Sequence, residues 1–198
     1  MSCDLFINPA VDRTHAYSDA QRLILNEVEA SAALAEISTW PGYAPTPLLS
    51  LAGFAKQLGV AEVLYKDEGE RFGLGSFKAL GGAYAILRQL IAHIERETGE
   101  RVDAAALARG EHRELTKSVT VSCATDGNHG RSVAWGAQTF GCECVIYIHA
   151  TVSAGREQAI AQYGARVVRT TGNYDESVHL ATADAAANGW IVICDTSW

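Results

Sequence analysis

Short apolar runs and amphipathic stretches alternate regularly through the second half of the chain. Four runs rich in β-branched residues are predicted strands: 118–124, 144–149, 166–170 and 190–194. Three stretches with helical spacing of apolar positions separate them: 128–140, 153–163 and 174–188. Strands that alternate with helices of this length form parallel βαβ units with right-handed crossovers. The pattern therefore predicts an α/β fold, a parallel sheet with flanking helices.

The first half of the chain is mostly helical in its pattern. The predicted elements are helices over 18–37, 50–58 and 76–98 and a strand over 61–66. Ser18 and Gln21 form a capping box for the first helix, and a glycine ends each of the other two. Residues 40–48 hold three of the four prolines, which predicts an extended connector. Residues 100–117 predict a short, exposed, alanine-rich helix.

Composition and charge narrow the class of protein. The 198 residues are 48% hydrophobic and include 16 basic and 23 acidic residues, a formal net charge of −7. A negative net charge argues against a nucleic-acid or anionic-membrane partner. In addition, no apolar run approaches the ~18 residues that span a bilayer. Residues 1–9 do not resemble a signal peptide. The five cysteines are odd in number and lack a CxxC pair, which favours reduced thiols, a cytoplasmic location and no metal site.

A glycine-rich loop over 71–82 runs from a predicted strand into a predicted helix. Lys78 falls in the first turn of that helix, where unpaired backbone N–H groups and the helix dipole disfavour the ammonium form. An uncharged lysine is what Schiff-base chemistry needs. Gly81 and Gly82 would let a flat ring approach the backbone closely. Taken alone, the same pattern also fits a surface lysine on a glycine-rich turn.

A second polar turn, over 125–131, follows the first strand of the predicted parallel sheet. Turns at the carboxyl edge of such sheets are where α/β proteins bind ligands. Asn128 offers both a donor and an acceptor, and Asp126 offers a carboxylate. Taken alone, the segment could also be an Asx turn with a helix cap.

Together the two segments resemble the fold-type II pyridoxal-phosphate (PLP) enzymes. The resemblance rests on the Ser-Phe-Lys string at 76–78 and the Gly-Asn-His-Gly string at 127–130, and it extends from about Tyr43 to the end. It implies PLP as the cofactor, with Lys78 as the Schiff-base residue. Phe77 and Asn128 would contact the cofactor, Asn128 at its phenolic oxygen.

Within that group, the chain is similar to the diaminopropionate ammonia-lyases. The segments that carry this similarity are 71–74, 125–126, 131–135, 173–175 and 195–198. It implies elimination of ammonia from 2,3-diaminopropionate, a small amino acid, with pyruvate as the product. Threonine/serine dehydratase is the runner-up. Dehydratases usually carry a Ser where this chain has Asp126, and this difference argues against the runner-up.

The resemblance also implies roles for individual residues. The candidate catalytic groups are Lys78, Asp126 and Asp195. The two aspartates each end a predicted parallel strand, so both can face one crevice. Asp195 could equally be a helix cap. The candidate substrate-binding residues are Thr125, Asp126, Gly127 and His129, whose turn would present N–H groups to the α-carboxylate. His129 is more often structural than catalytic in such a position.

One expected feature is missing from the chain. The family binds the cofactor phosphate with a glycine-rich loop late in the sequence, and none occurs after residue 130. We therefore expect 43–198 to be the N-terminal part of the catalytic region, with 1–92 in a large domain and 93–198 forming a small α/β domain. The full-length protein would be a homodimer, and this part alone would bind PLP weakly and have little activity.

Two hypotheses that place the chain in other classes of protein stay open. A nucleotide-binding α/β module would need G-x-G-x-x-G, and Lys78 stands where the third glycine belongs. A non-catalytic, truncated α/β binding fragment would also account for half of a cofactor site.

Overall fold

The structure, a computed structural model, describes residues 8–12 and 14–195. Cys3, most of the 1–9 segment and the last three residues of the 195–198 string lie outside the described residues. The chain divides into two compact units, Met1–Ala35 and Glu36–Trp198. Among the described residues, none of the helices combines the length and apolar character that a bilayer crossing needs.

The helix predicted over 18–37 is interrupted. It forms α1, Asp19–Ile24, and α2, Glu27–Ile37. The predicted capping box of Ser18 and Gln21 is confirmed. The single-helix prediction is wrong because Asn26 starts a new helix: its side-chain oxygen accepts a hydrogen bond from the Glu29 N–H at 2.9 Å.

A small antiparallel pair of strands follows the proline-containing connector. Strand β1, Leu48–Ser50, pairs with β2, Leu64–Lys66, and helix α3, Ala52–Leu58, lies between them in sequence. Gly59 ends α3 at φ 70°, as predicted. The prolines at 45 and 47 directly precede β1, so the sequence pattern indicated only an extended connector there.

Three helices connect this region to the main sheet. Helix α4, Lys78–Thr98, ends at Gly99 with φ 74° and begins at Lys78 itself. Two short helices follow, α5, Ala104–Ala108, and α6, Arg113–Lys117. The prediction of an exposed helix over 100–117 is wrong for α5, whose Leu107 is 1% exposed and belongs to the hydrophobic core.

The main sheet is parallel, which confirms the predicted α/β fold. Its strands are β3, Thr120–Thr125, β4, Glu143–Ile148, β5, Arg166–Arg169, and β6, Ile191–Val192, in the order β5-β4-β3-β6. The connecting helices are α7, Asn128–Phe140, α8, Ala154–Ala161, and α9, Tyr174–Asn188. The carboxyl ends of all four strands therefore lie at one edge, where the polar turns after β3 and β4 begin.

Helices α4 and α7 approach each other very closely. A Cβ atom on Gly136 would lie 2.8 Å from the Ala83 Cα, and one on Gly82 would lie 2.5 Å from the Ser132 Oγ. Only glycine allows backbones to come this near. The first turns of both helices, which carry the two predicted functional segments, are thus brought side by side.

A buried ionic network fixes the loop that leads into α4. The Arg71 guanidinium donates to the Glu68 carboxylate at 2.8 Å, to the Thr46 hydroxyl at 2.9 Å and to the Ala44 carbonyl at 2.9 Å. The hydrogen bond from Arg71 lowers the pKa of Glu68 to about 2. Burial opposes this shift, and the hydrogen bond from Thr46 adds to it. Arg71 itself is only 7% exposed, so the pair is shielded from solvent.

This network predicts an acid-dependent loss of stability. Because its pKa is lowered from 4.5 to about 2, the ionised Glu68 stabilises the fold at neutral pH, and this contribution disappears as pH falls from 4.5 towards 2. We expect Glu68→Gln to lower the free energy of unfolding by about 1–3 kcal/mol at pH 7 and by less at pH 3, measured by urea denaturation. The exposed Glu62→Gln is the control. Equal losses at the two pH values would contradict the assignment.

Candidate active site

The turn after β3 is built by one threonine and one glycine. The Thr125 hydroxyl oxygen accepts hydrogen bonds from the N–H groups of Gly127 and Gly130, both at 3.0 Å. Gly127 has φ 153° and ψ −76°, a conformation that side chains rarely adopt, and a Cβ there would lie 3.3 Å from the Arg156 Cδ. The turn therefore holds a fixed shape that depends on both residue types.

This turn leaves two backbone donors available. The N–H groups of Asn128 and His129 begin α7, and no acceptor among the described residues bonds to them. Free N–H groups at the positive end of a 13-residue helix favour a bound anion. The geometry agrees with the predicted site for an α-carboxylate.

The start of α7 also holds the backbone around Lys78. The Ser132 hydroxyl donates to the Lys78 carbonyl at 2.6 Å. The Arg131 guanidinium donates to the carbonyls of Leu74 and Gly73 at 3.0 and 3.2 Å. Sequence reasoning did not assign these two residues a positioning role, although both follow the Gly-Asn-His-Gly string directly.

The Lys78 side chain forms an ion pair with Asp195. Its Nζ lies 2.5 Å from the Asp195 Oδ2, and about a third of each side chain is exposed. Burial raises the pKa of Asp195, but the hydrogen bond from Lys78 and the neighbouring His129 and Lys78 charges hold it below its ordinary value. The helix start alone predicted an uncharged amine. The ion pair with Asp195 is a contact that the helix start alone does not predict.

His129 connects α7 to the segment after β6. Its ring is buried, and Nε2 lies 2.8 Å from the Ile193 carbonyl oxygen, which can only accept, so Nε2 is the donor. The other nitrogen, Nδ1, lies 4.0 Å from the Asp195 Oδ2. The contacts describe a structural residue that places the end of β6, and with it Asp195, beside Lys78.

Asp126 is paired with a histidine that sequence reasoning missed. Its Oδ1 lies 2.8 Å from the His149 Nε2, and 66% of the Asp126 side chain is exposed. The Asp126 carbonyl also accepts a hydrogen bond from Arg156 at 3.3 Å. In the parallel register Thr125 stands opposite Ile148, so residues 126 and 149 follow neighbouring strand ends. This register would have predicted the contact between Asp126 and His149, but it can be worked out only when the order of the strands in the sheet is known.

These side chains border a pocket of about 240 Å³ at the sheet edge. It is lined by Lys78, Ala124, Thr125, Asp126, Gly127, Asn128, His129, Arg156, Tyr174 and Asp195. All of the predicted site residues except Phe77 thus lie around one cavity. Arg156 and Tyr174 were not assigned from the sequence.

Phe77 lies on the other side of Lys78. It lines a neighbouring pocket of about 310 Å³ together with Gly81, Gly82 and Cys194, and its ring is 60% exposed. Lys78, His129 and Asp195 border both pockets. A Cβ on Gly82 would lie 2.5 Å from the Ser132 Oγ, whereas Gly81 has open space where a Cβ would be.

Comparison with known proteins identifies the family. Residues 39–197 match the pyridoxal-phosphate dependent enzymes. This chain belongs to that family. It is 40% identical over 158 residues to diaminopropionate ammonia-lyase of Salmonella typhimurium, covering 80% of this chain and 39% of the relative. It is also 30% identical over 118 residues to a probable D-serine dehydratase of Acidovorax, covering 57% of this chain and 26% of the relative.

Solved structures agree with the family assignment. The crystal structure of Escherichia coli diaminopropionate ammonia lyase in complex with D-serine matches with a TM-score of 0.78 and 39% identity, over 87% of this chain and 43% of the other. The chain therefore spans about two fifths of the length of the diaminopropionate ammonia-lyases it matches. The fold is the fold-type II arrangement expected from the sequence.

The residues around the pocket fit the family's cofactor. Lys78 has a primary amine that would react with the cofactor aldehyde, and Asn128 lines the same cavity. The two unpaired N–H groups beside it add an anion-binding position for a substrate carboxylate.

Proposed function

We propose that this chain is the N-terminal part of a PLP-dependent ammonia-lyase that converts 2,3-diaminopropionate and water to pyruvate and two molecules of ammonia. The observation that carries the proposal is the grouping of Lys78, Asp126 and Asp195 around one pocket beside the unpaired N–H groups of α7. The one amine and two carboxylates of the pocket are complementary in charge to a substrate that has one carboxylate and two amino groups.

The chain would hold the cofactor through the Lys78 amine, with Asn128 in position to contact the ring. When bound, PLP supplies the electron sink that makes loss of the Cα proton possible. The hydrogen bonds from Ser132 and Arg131 keep the Lys78 backbone and the preceding loop in place. These contacts would hold the Lys78 amine in one position relative to the Thr125–Asn128 turn.

Substrate orientation follows from the charges around the pocket. The α-carboxylate would bind the N–H groups of Asn128 and His129. Asp126, which follows β3, would face the side-chain amino group, and its negative charge favours an ammonium over a hydroxyl at that position. This preference separates diaminopropionate from serine and threonine.

Proton transfer is divided between two residues. Lys78 would accept the Cα proton from its own face of the substrate. Asp195, ion-paired with the Lys78 Nζ at 2.5 Å, would orient that amine. Asp126 would act on the opposite face, as the base for the other enantiomer or as the acid that protonates the departing amine.

The second candidate is a hydroxy-amino-acid dehydratase, favoured by the similarity to probable D-serine dehydratases. It would use the same lysine and the same carboxylate-binding turn. The Asp126 carboxylate, which is paired with His149, argues against a dehydratase. The hydroxyl leaving group of serine or threonine is neutral and has no charge for this carboxylate to recognise.

The organisation of the full-length protein is part of the proposal. We propose that 43–198 is the N-terminal part of the catalytic region, that 1–92 begins a large domain and that 93–198 is a small α/β domain. The β1–β2 pair lies in the first segment and all four parallel strands lie in the second, which supports two parts, although α4, Lys78–Thr98, continues across the boundary at 92/93. We further propose a cytoplasmic homodimer. The free thiols of Cys123 and Cys144, which are buried, and of Cys142, which is half-buried, support a reducing compartment.

The reaction is tested by product stoichiometry in the full-length protein supplied with PLP. Diaminopropionate should yield two ammonia molecules per pyruvate, measured with coupled dehydrogenase assays, whereas serine yields one. We expect kcat/KM for diaminopropionate to exceed that for serine and threonine at least tenfold, because of the charge on Asp126. A higher kcat/KM for either hydroxy amino acid would favour the dehydratase reading.

The cofactor lysine is tested separately. Borohydride reduction in the presence of PLP, followed by peptide mapping, should place the pyridoxyl group on Lys78 because its Nζ lies in the pocket with Asn128. The exposed Lys56 is the internal control for non-specific labelling. Labelling of Lys56, Lys66 or Lys117 in preference to Lys78 would refute the assignment.

The role of Asp126 predicts an effect on one enantiomer. Asp126→Asn keeps the size of the side chain and removes its proton acceptor, so turnover of one diaminopropionate enantiomer should fall by about 10²–10⁴-fold and that of the other far less. Cofactor absorbance should stay nearly unchanged because Lys78 and Asn128 are untouched. The exposed Asp175→Asn is the matched control. Equal, small losses for both enantiomers would mean that Asp126 is only a turn residue.

A further inference from the structure

We propose that His149 is a positioning residue for Asp126, holding the carboxylate towards the substrate pocket. This inference rests on the proposed function of Asp126. It goes beyond that function because His149 does not line the pocket itself and reaches the reaction only through the hydrogen bond to Asp126.

Two hydrogen-bond partners define the orientation of the histidine ring. An ionised carboxylate can only accept hydrogen bonds, so the His149 Nε2, 2.8 Å from the Asp126 Oδ1, is the donor. The Thr151 hydroxyl lies 3.0 Å from the His149 Nδ1 and can donate to it. Together the two contacts give both ring nitrogens a partner and fix the orientation of the ring.

The segment that carries His149 is itself braced. The Arg169 guanidinium at the end of β5 donates to the carbonyls of His149 at 3.3 Å, Ala150 at 3.0 Å and Val152 at 2.8 Å. Glu157 of α8 pairs with the same guanidinium at 2.6 Å. The ring is therefore held from its backbone as well as from Thr151, and only 17% of its side chain is exposed.

Asp126 needs such a partner because it is largely exposed. With 66% of its side chain in solvent, the carboxylate could otherwise rotate between several staggered conformers. The bond to His149 occupies Oδ1, and no hydrogen bond within the described part of the chain occupies Oδ2. Oδ2 is thus the oxygen left to face a substrate ammonium or proton.

The activity test uses two replacements of His149 in the full-length protein. Gln can place its amide nitrogen close to the position of Nε2, whereas Leu has no donor. We expect His149→Leu to lower turnover by about tenfold for the enantiomer that depends on Asp126 and to leave the other nearly unchanged, since small misplacements of a catalytic group are costly. His149→Gln should recover most of the loss. The exposed His179→Leu is the control.

A double-mutant comparison isolates the coupling. In the Asp126→Asn background, His149→Leu should cause little further loss, because the residue it positions no longer accepts a proton. Equal losses for both enantiomers, no rescue by Gln, or full additivity with Asp126→Asn would each overturn the inference.

A spectroscopic measurement keeps this result distinct from failure of the proposed function. In ¹⁵N-histidine-labelled protein at fixed pH, the His149 resonances, identified by their loss in His149→Gln, should report a protonated Nε2 that shifts when Asp126 is replaced by Asn. An unmoved Nε2 resonance would refute the contact even in an active enzyme. A shift in protein that does not turn over diaminopropionate would support the contact and refute the proposed reaction instead.

Discussion

The close approach of α4 and α7 is the constraint on which the site depends. Gly136 against Ala83, and Gly82 against Ser132, bring the two helix backbones nearer than side chains would allow. The first turn of α4 carries Lys78, and the first turn of α7 carries Asn128 and His129. Because both helices are held along their buried faces, the amine and the anion-binding N–H groups occupy fixed relative positions.

The rest of the site follows from the parallel sheet. The carboxyl ends of the four strands lie at one edge, and three of them are followed by a residue of the candidate site: Asp126 after β3, His149 after β4 and Asp195 after β6. Lys78 and Asp195 are 117 residues apart in sequence and form an ion pair because His129 anchors the end of β6 beside α4. A lysine at a helix start thereby gains a partner that fixes its orientation.

Local patterns predicted the elements but not the partnerships. The bounds of α7 and α9 and the glycine ends of α3 and α4 follow from periodicity and capping, which depend on neighbouring residues alone. The burial of α5 depends on tertiary packing, and the contact of Asp126 with His149 depends on strand order and register. Phe77 was grouped with Asn128 because their motifs belong together, but the two residues line different pockets, both bordered by Lys78.

The central claim is that Lys78 presents the cofactor to the Thr125–Asn128 turn. Two pockets adjoin Lys78, one lined by Asn128 and the other by Phe77 and Gly81, so the position of the cofactor ring decides between them. The most direct measurement is a crystal structure of the full-length protein after borohydride reduction with PLP. The account predicts continuous density from the Lys78 Nζ into the pocket lined by Asn128. Density that enters the Phe77 pocket, or that is joined to another lysine, would contradict it.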